Sequence, residues 1–144
     1  SRMAIIVENF ALVGRLKGDG TMRVLIVEDS DVVRRSLRAM LSEVPGVETI
    51  VEAADAIEAA EAISSALFDA VTLDLQLPRG SGFDVLQDLK KHYSSAKVIV
   101  LTNFTEPPFR RACEKAGAHF FFDKSTEFEK VGLVLQEQAA LASV

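Results

Sequence analysis

From Met22 onward the chain alternates five times between a short apolar run and a stretch of helical period, and this alternation limits the fold more than any other feature. The runs are residues 23–27 (RVLIV), 48–52 (ETIVE), 70–73 (AVTL), 97–101 (KVIVL) and 119–122 (HFFF). The first, third and fourth are nearly unbroken apolar segments, the pattern of strands covered on both faces. Between and after the runs, apolar residues recur at three- and four-residue intervals. Val33, Leu37, Met40, Leu41 and Val44 form one stripe, and Ala56, Ala60, Ile63 and Leu67 form a second. Phe83, Leu86 and Leu89 mark a third helix, and Phe109, Cys113 and Ala116 a fourth that Gly117 closes. Phe128, Val131, Val134 and Leu135 mark a fifth.

Short strands alternating with helices of this size predict right-handed βαβ crossovers and a parallel sheet with helices on both faces. The expected fold class is therefore α/β: a (βα)5 doubly wound parallel sheet with the flavodoxin-like strand order 2-1-3-4-5. A chain of 144 residues can bury a core without disulfides, and its single cysteine, Cys113, can form no internal one. That cysteine usage agrees with a reducing, cytoplasmic setting. The formal net charge of -5 argues against direct binding of nucleic acid, whose phosphates need clustered Lys and Arg. No run approaches the roughly 18 apolar residues of a membrane span. Residues 4–16 are largely apolar and residues 17–21 (KGDGT) are turn-rich. An extra N-terminal segment over residues 1–21 is thus expected ahead of a domain covering residues 22–144.

In a doubly wound sheet the ligand crevice lies at the carboxyl ends of the strands, near the point where the strand order reverses. The first expected strand ends in Glu28 and Asp29, the third in Asp74 and the fourth in Thr102, while the fifth is followed by Lys124. The second offers nothing comparable. Three carboxylates brought together repel one another and call for a cation. Mg²⁺ suits an all-oxygen set and prefers one or two carboxylates plus a phosphate oxygen, whereas the lack of placed His or Cys argues against zinc. A carboxylate beside Mg²⁺ can attack phosphorus and form an acyl phosphate, with the metal and a lysine neutralising the equatorial oxygens. Taken singly, the same residues have plainer readings. Glu28 and Asp29 suit the N-terminus of a helix, Asp74 suits a strand end ahead of the turn Leu77-Pro78-Arg79-Gly80, and Thr102 suits a cap of the fourth helix. Their convergence on one rim favours the chemistry.

Residues 26–30 (IVEDS), 71–86 (VTLDLQLPRGSGFDVL), 100–103 (VLTN) and 117–125 (GAHFFFDKS) resemble, in order and spacing, the signature blocks of two-component response regulator receiver domains. The likeness spans residues 22–144. It implies that Asp74 is the phosphoacceptor. It implies a Mg²⁺ cofactor held directly by Asp29 and largely through water by Glu28, with Asp74 and the backbone carbonyl of Gln76 as further ligands. Lys124 would pair with the phosphoryl group, Thr102 would be the switch hydroxyl and Phe121 the switch aromatic. The implied partner is a sensor histidine kinase or a histidine phosphotransfer protein. The implied output is a changed surface over residues 107–142, where the fourth helix, fifth strand and fifth helix meet and where a homodimer could form. On this likeness the chain is a signalling domain, acting as an enzyme at most on its own phosphorylation and dephosphorylation.

Three departures from the family pattern stand out. Ser125 follows the lysine where proline is common; a cis non-proline bond costs about 3–4 kcal/mol, so a trans Lys124–Ser125 bond is expected. Asn103 follows Thr102 where a small residue is common, and is expected to narrow access to Asp74. Phe121 replaces the frequent tyrosine and lacks its hydroxyl. Alternation puts Phe120 and Phe122 on one face as packing residues and Phe121 on the other.

Rival readings fit less well. A phosphatase of the haloacid-dehalogenase type would need a second aspartate where Gln76 stands. A flavin or nucleotide carrier would need a phosphate loop of Ser, Thr and Gly where Glu28-Asp29-Ser30 stands. A receiver-like module that is never phosphorylated would have no use for the acidic cluster, Thr102 and Lys124 together.

Overall fold

The computed structural model describes residues 21–92 and 94–142, so the extension expected over residues 1–21 lies outside the described residues except for Thr21. Strands and helices alternate as β1 (Met22–Val27), α1 (Asp31–Ser42), β2 (Val47–Ala53), α2 (Ala56–Ser65), β3 (Ala70–Leu73), α3 (Gly82–Lys91), β4 (Lys97–Thr102), α4 (Pro107–Lys115), β5 (Phe120–Asp123) and α5 (Lys130–Ala142). The five strands form one sheet in the order β2-β1-β3-β4-β5, and every neighbouring pair is parallel. This is the expected doubly wound order. The reversal of direction falls between β1 and β3.

Local chemistry sets the helix starts and ends. The Ser30 hydroxyl accepts from the Val33 amide at 3.3 Å to start α1, and the Asp55 carboxylate accepts from the Glu58 amide at 2.8 Å to start α2. The Ser81 amide donates to the Asp84 carboxylate at 2.9 Å at the start of α3. Pro107 opens α4, where its missing N–H costs nothing. Just beyond the end of α4, Gly117 has a φ of 105°, a conformation glycine adopts without strain.

Side chains alternate across the sheet into two cores. Leu25, Val27, Val71, Leu73, Val98 and Val100 meet α2, α3 and α4 through Ala59, Ile63, Val85, Leu86 and Cys113. Val24, Ile26, Ala70, Ile99 and Leu101 meet α1 and α5 through Leu37, Leu41, Val131 and Leu135. Two residues expected on the apolar stripes depart from them. Leu67 lies past the end of α2 and is 47% exposed, because the chain has already turned out toward β3. Phe109 is 38% exposed and stacks on Phe104, ring centroids 5.5 Å apart, instead of entering the core.

Candidate functional site

β1, β3, β4 and β5 all end on the same rim, and each delivers a polar side chain there. Backbone bonds carry the ladder past the strand ends and fix these positions: the Asp74 amide donates to the Val27 carbonyl at 3.1 Å, the Glu28 amide to Ala53 at 3.0 Å, and the Lys124 amide to Thr102 at 2.9 Å. Carboxylate oxygens of Glu28, Asp29 and Asp74 lie within 4.8 Å of one another. Glu28 and Asp74 are buried, whereas Asp29 is exposed. The Lys124 ammonium sits between the two buried carboxylates, 2.7 Å from Glu28 Oε1 and 2.8 Å from Asp74 Oδ2. The other Asp74 oxygen accepts from the Gln76 amide at 3.3 Å.

Burial pushes the Glu28 carboxyl above its ordinary range, further than its bonds to Lys124 and to the Ser30 amide pull it down. Burial works against the Lys124 ammonium too, but its bonds to Asp74 and Glu28 outweigh that and hold its pKa above the ordinary value. The lysine therefore stays charged at neutral pH. A single ammonium faces three carboxyl groups, and the donors are all hard oxygens with Asp29 open to water. The set fits a divalent ion such as Mg²⁺.

Thr102 is fully buried, and its hydroxyl oxygen accepts from the Phe104 amide at 3.1 Å. It does not cap α4, whose N-cap position is Glu106. Asn103 is exposed beside it. No peptide bond among the described residues is cis, so the Lys124–Ser125 bond is trans as expected. Phe120 and Phe122 do share a face, ring centroids 6.1 Å apart, but both are only half-buried. Phe121 is the most buried of the three, and the Arg110 guanidinium lies 4.7 Å from its ring centroid.

Two ion pairs beside the rim carry no sequence signal. Arg34 of α1 joins the β1–α1 turn to Glu52 of β2, a link that sequence reasoning passed over, while β2 itself supplies no member of the acidic cluster. Arg79, at a φ of 53°, donates to the Asp55 carboxylate through Nε at 2.9 Å and Nη2 at 2.6 Å. This pins the loop after Asp74 onto the start of α2. The Glu58 backbone amide at the start of α2, and then the Arg79 guanidinium, hold the Asp55 carboxyl below its ordinary range.

Residues 24–136 match the family model described as the response regulator receiver domain. The chain is 40% identical over 85 residues to protein-glutamate methylesterase/protein-glutamine glutaminase 1 of Xanthomonas campestris pv. campestris, a match covering 59% of this chain and 24% of that protein. The chain thus spans about a quarter of the length of that relative. The response regulator domain of Thermotoga maritima CheB superposes with a TM-score of 0.71 at 28% identity, covering 85% of this chain and 96% of that one. The receiver domain of the Pseudomonas aeruginosa sensor histidine kinase PA1611, solved with a magnesium ion coordinated in its active site cleft, shares the fold at a TM-score of 0.70. Its identity is 23%, covering 83% of this chain and 98% of that one. No helix among the described residues is long and apolar enough to cross a membrane.

Proposed function

This chain belongs to the response regulator receiver domains of two-component systems, and on that footing we propose that Asp74 accepts a phosphoryl group from the phosphohistidine of a sensor histidine kinase or histidine phosphotransfer protein. The observation that carries the reading is the Lys124 ammonium held between Asp74 and Glu28 at the strand ends, beside the exposed carboxylate of Asp29.

In the transfer, an Asp74 carboxylate oxygen forms the new P–O bond as the P–N bond to the donor imidazole breaks, and the electron pair stays with the ring nitrogen. Lys124, charged at neutral pH, offers its protons to the phosphoryl oxygens that gain negative charge. Mg²⁺, held by Glu28, Asp29, Asp74 and the Gln76 carbonyl, would supply the remaining charge neutralisation when bound.

The signal then leaves through Thr102. Its oxygen is engaged by the Phe104 amide, but its proton is free to be donated to an arriving phosphoryl oxygen. Turning toward that oxygen loosens the hold on Phe104, which stacks on Phe109 of α4. The change thereby reaches the surface over residues 107–142, including Arg110 and the Phe121 ring beneath it. The two states exchange, and phosphorylation shifts their populations.

Incubation with acetyl phosphate and Mg²⁺, followed by intact-mass measurement, tests the assignment. The parent chain should gain one phosphoryl group and Asp74→Asn none. A parent that stays unmodified, or an Asp74→Asn variant labelled as fast as the parent, would sink it.

A further inference from the structure

α1 begins at Asp31, and side chains on a helix lean toward its N-terminus, so a long residue in the first turn folds back over the preceding loop. Arg34 does so. Its Nη1 donates to the backbone carbonyl of Glu28 at 2.8 Å and to that of Asp29 at 3.3 Å. Its Nε donates to Glu52 Oε1 at 2.9 Å, and its Nη2 is paired with Asp31. Glu52 also takes Arg38, so the anchor on β2 is itself held. The Arg34 side chain is only 17% exposed. Burial disfavours its charge, but Asp31 and Glu52 outweigh that and its pKa stands above the ordinary value.

One guanidinium thus ties together the turn that carries two acidic rim residues, the first turn of α1 and the edge strand. Only a planar fork reaches in these directions at once; a lysine ammonium is a single point. The same turn is braced from within by the Ser30 amide, which donates to Glu28 Oε2 at 3.0 Å.

We propose that Arg34 is a positioning residue for the divalent-cation site: by holding the Glu28 and Asp29 carbonyls against β2, it sets the two carboxylates where they converge with Asp74. This rests on the reading of Glu28 and Asp29 as cation ligands. The sign of the effect separates positioning from simple charge. Removing a cation near a divalent-ion site relieves repulsion and tightens binding, whereas releasing the turn spreads the carboxylates and weakens it.

The test is a calorimetric Mg²⁺ titration of the full chain at fixed ionic strength, for the parent, Arg34→Ala, Arg34→Lys and Glu52→Gln. Arg34→Ala should raise the dissociation constant about tenfold or more, the range found when groups that orient metal ligands are removed. Arg34→Lys, which keeps the charge and loses the fork, and Glu52→Gln, which loses the anchor, should both raise it by less. Amide hydrogen exchange without Mg²⁺ provides a second readout. Exchange at Asp29, Ser30 and Asp31 should quicken in Arg34→Ala and Arg34→Lys while β3 and β4 stay as protected as in the parent. An unchanged or smaller dissociation constant in Arg34→Ala and Arg34→Lys overturns the proposal, as does faster exchange spread evenly over the sheet, or a parent that binds no Mg²⁺. Should Arg34→Ala fail to fold, Arg34→Lys decides by the same readouts. A parent that binds Mg²⁺ but is not labelled by acetyl phosphate defeats the role of Asp74 and leaves that of Arg34 standing.

Discussion

Thr72 sits at the middle of β3 between Ile26 of β1 and Ile99 of β4, 1% exposed, and its hydroxyl has no hydrogen-bond partner. Leaving a buried donor unmade costs about 1–3 kcal/mol, while a methyl group of the same shape costs nothing there. Thr72→Val should therefore raise the unfolding free energy by about 1–2 kcal/mol, read from the urea midpoint at unchanged slope. A loss of stability would show that the hydroxyl is satisfied. At this scale the sequence was informative where a residue's place on the rim follows from its strand. Glu28, Asp29, Asp74, Thr102 and Lys124 each stand at or just past a strand end, so knowing the sheet order is enough to gather them. Arg34–Glu52 and Arg79–Asp55 join segments with no common periodicity, and no pattern in the chain distinguishes these charges from solvated ones. The burial of Phe121 was hidden for a related reason. Alternation assigned its face, but how deeply it sits depends on α4 and on Arg110.

Among the elements, α3 meets the end of β3 with no space to spare. A Cβ built on Gly82, the first residue of α3, would lie 2.6 Å from the Asp74 carbonyl oxygen and 2.8 Å from the Leu75 Cα. In an open helix a glycine-to-alanine change gains up to about 1 kcal/mol. Here backbone stands on the other side and cannot give way, so overpacking wins: Gly82→Ala should destabilise by about 1–3 kcal/mol in chemical denaturation. It should also slow acetyl phosphate labelling, because α3 is forced off the residue that would be labelled. The start of β5 holds a different dependence. His119 Nδ1 accepts from the Val98 amide at 3.0 Å, standing in for a carbonyl at the edge of the β4–β5 ladder. Burial, with the charge of Lys97 adding to it, holds this imidazole below its ordinary 6.5. A depressed folded pKa means that the unfolded chain takes up the proton first as pH falls. Its contribution to stability is therefore complete above 6.5 and lost as pH drops through 6.5 toward the lower folded value. His119→Asn, which keeps an acceptor oxygen near Nδ1 and does not titrate, should show a shallower fall in Tm between about pH 7.5 and 5.5 than the parent. Equal slopes would remove His119 from the account. Element types and order were readable because apolar runs and helical stripes alternate cleanly. Ends were less so: β2 runs one residue further at each end than its apolar run, and Leu67 continues the α2 stripe after the helix has stopped.

Across the whole molecule, the rim hangs from four strands of one continuous sheet, each strand flanked by core on both faces. On the proposed reading, loss of the cation pocket in the parent is expected to coincide with loss of the fold. In urea, Mg²⁺-dependent labelling of Asp74 and the helical circular dichroism signal should disappear along a single curve; labelling that vanishes at clearly lower urea would reveal a separate subglobal opening. If Asp74 is the phosphoacceptor proposed above, a partially denatured population would then hold fewer competent molecules and no half-competent ones.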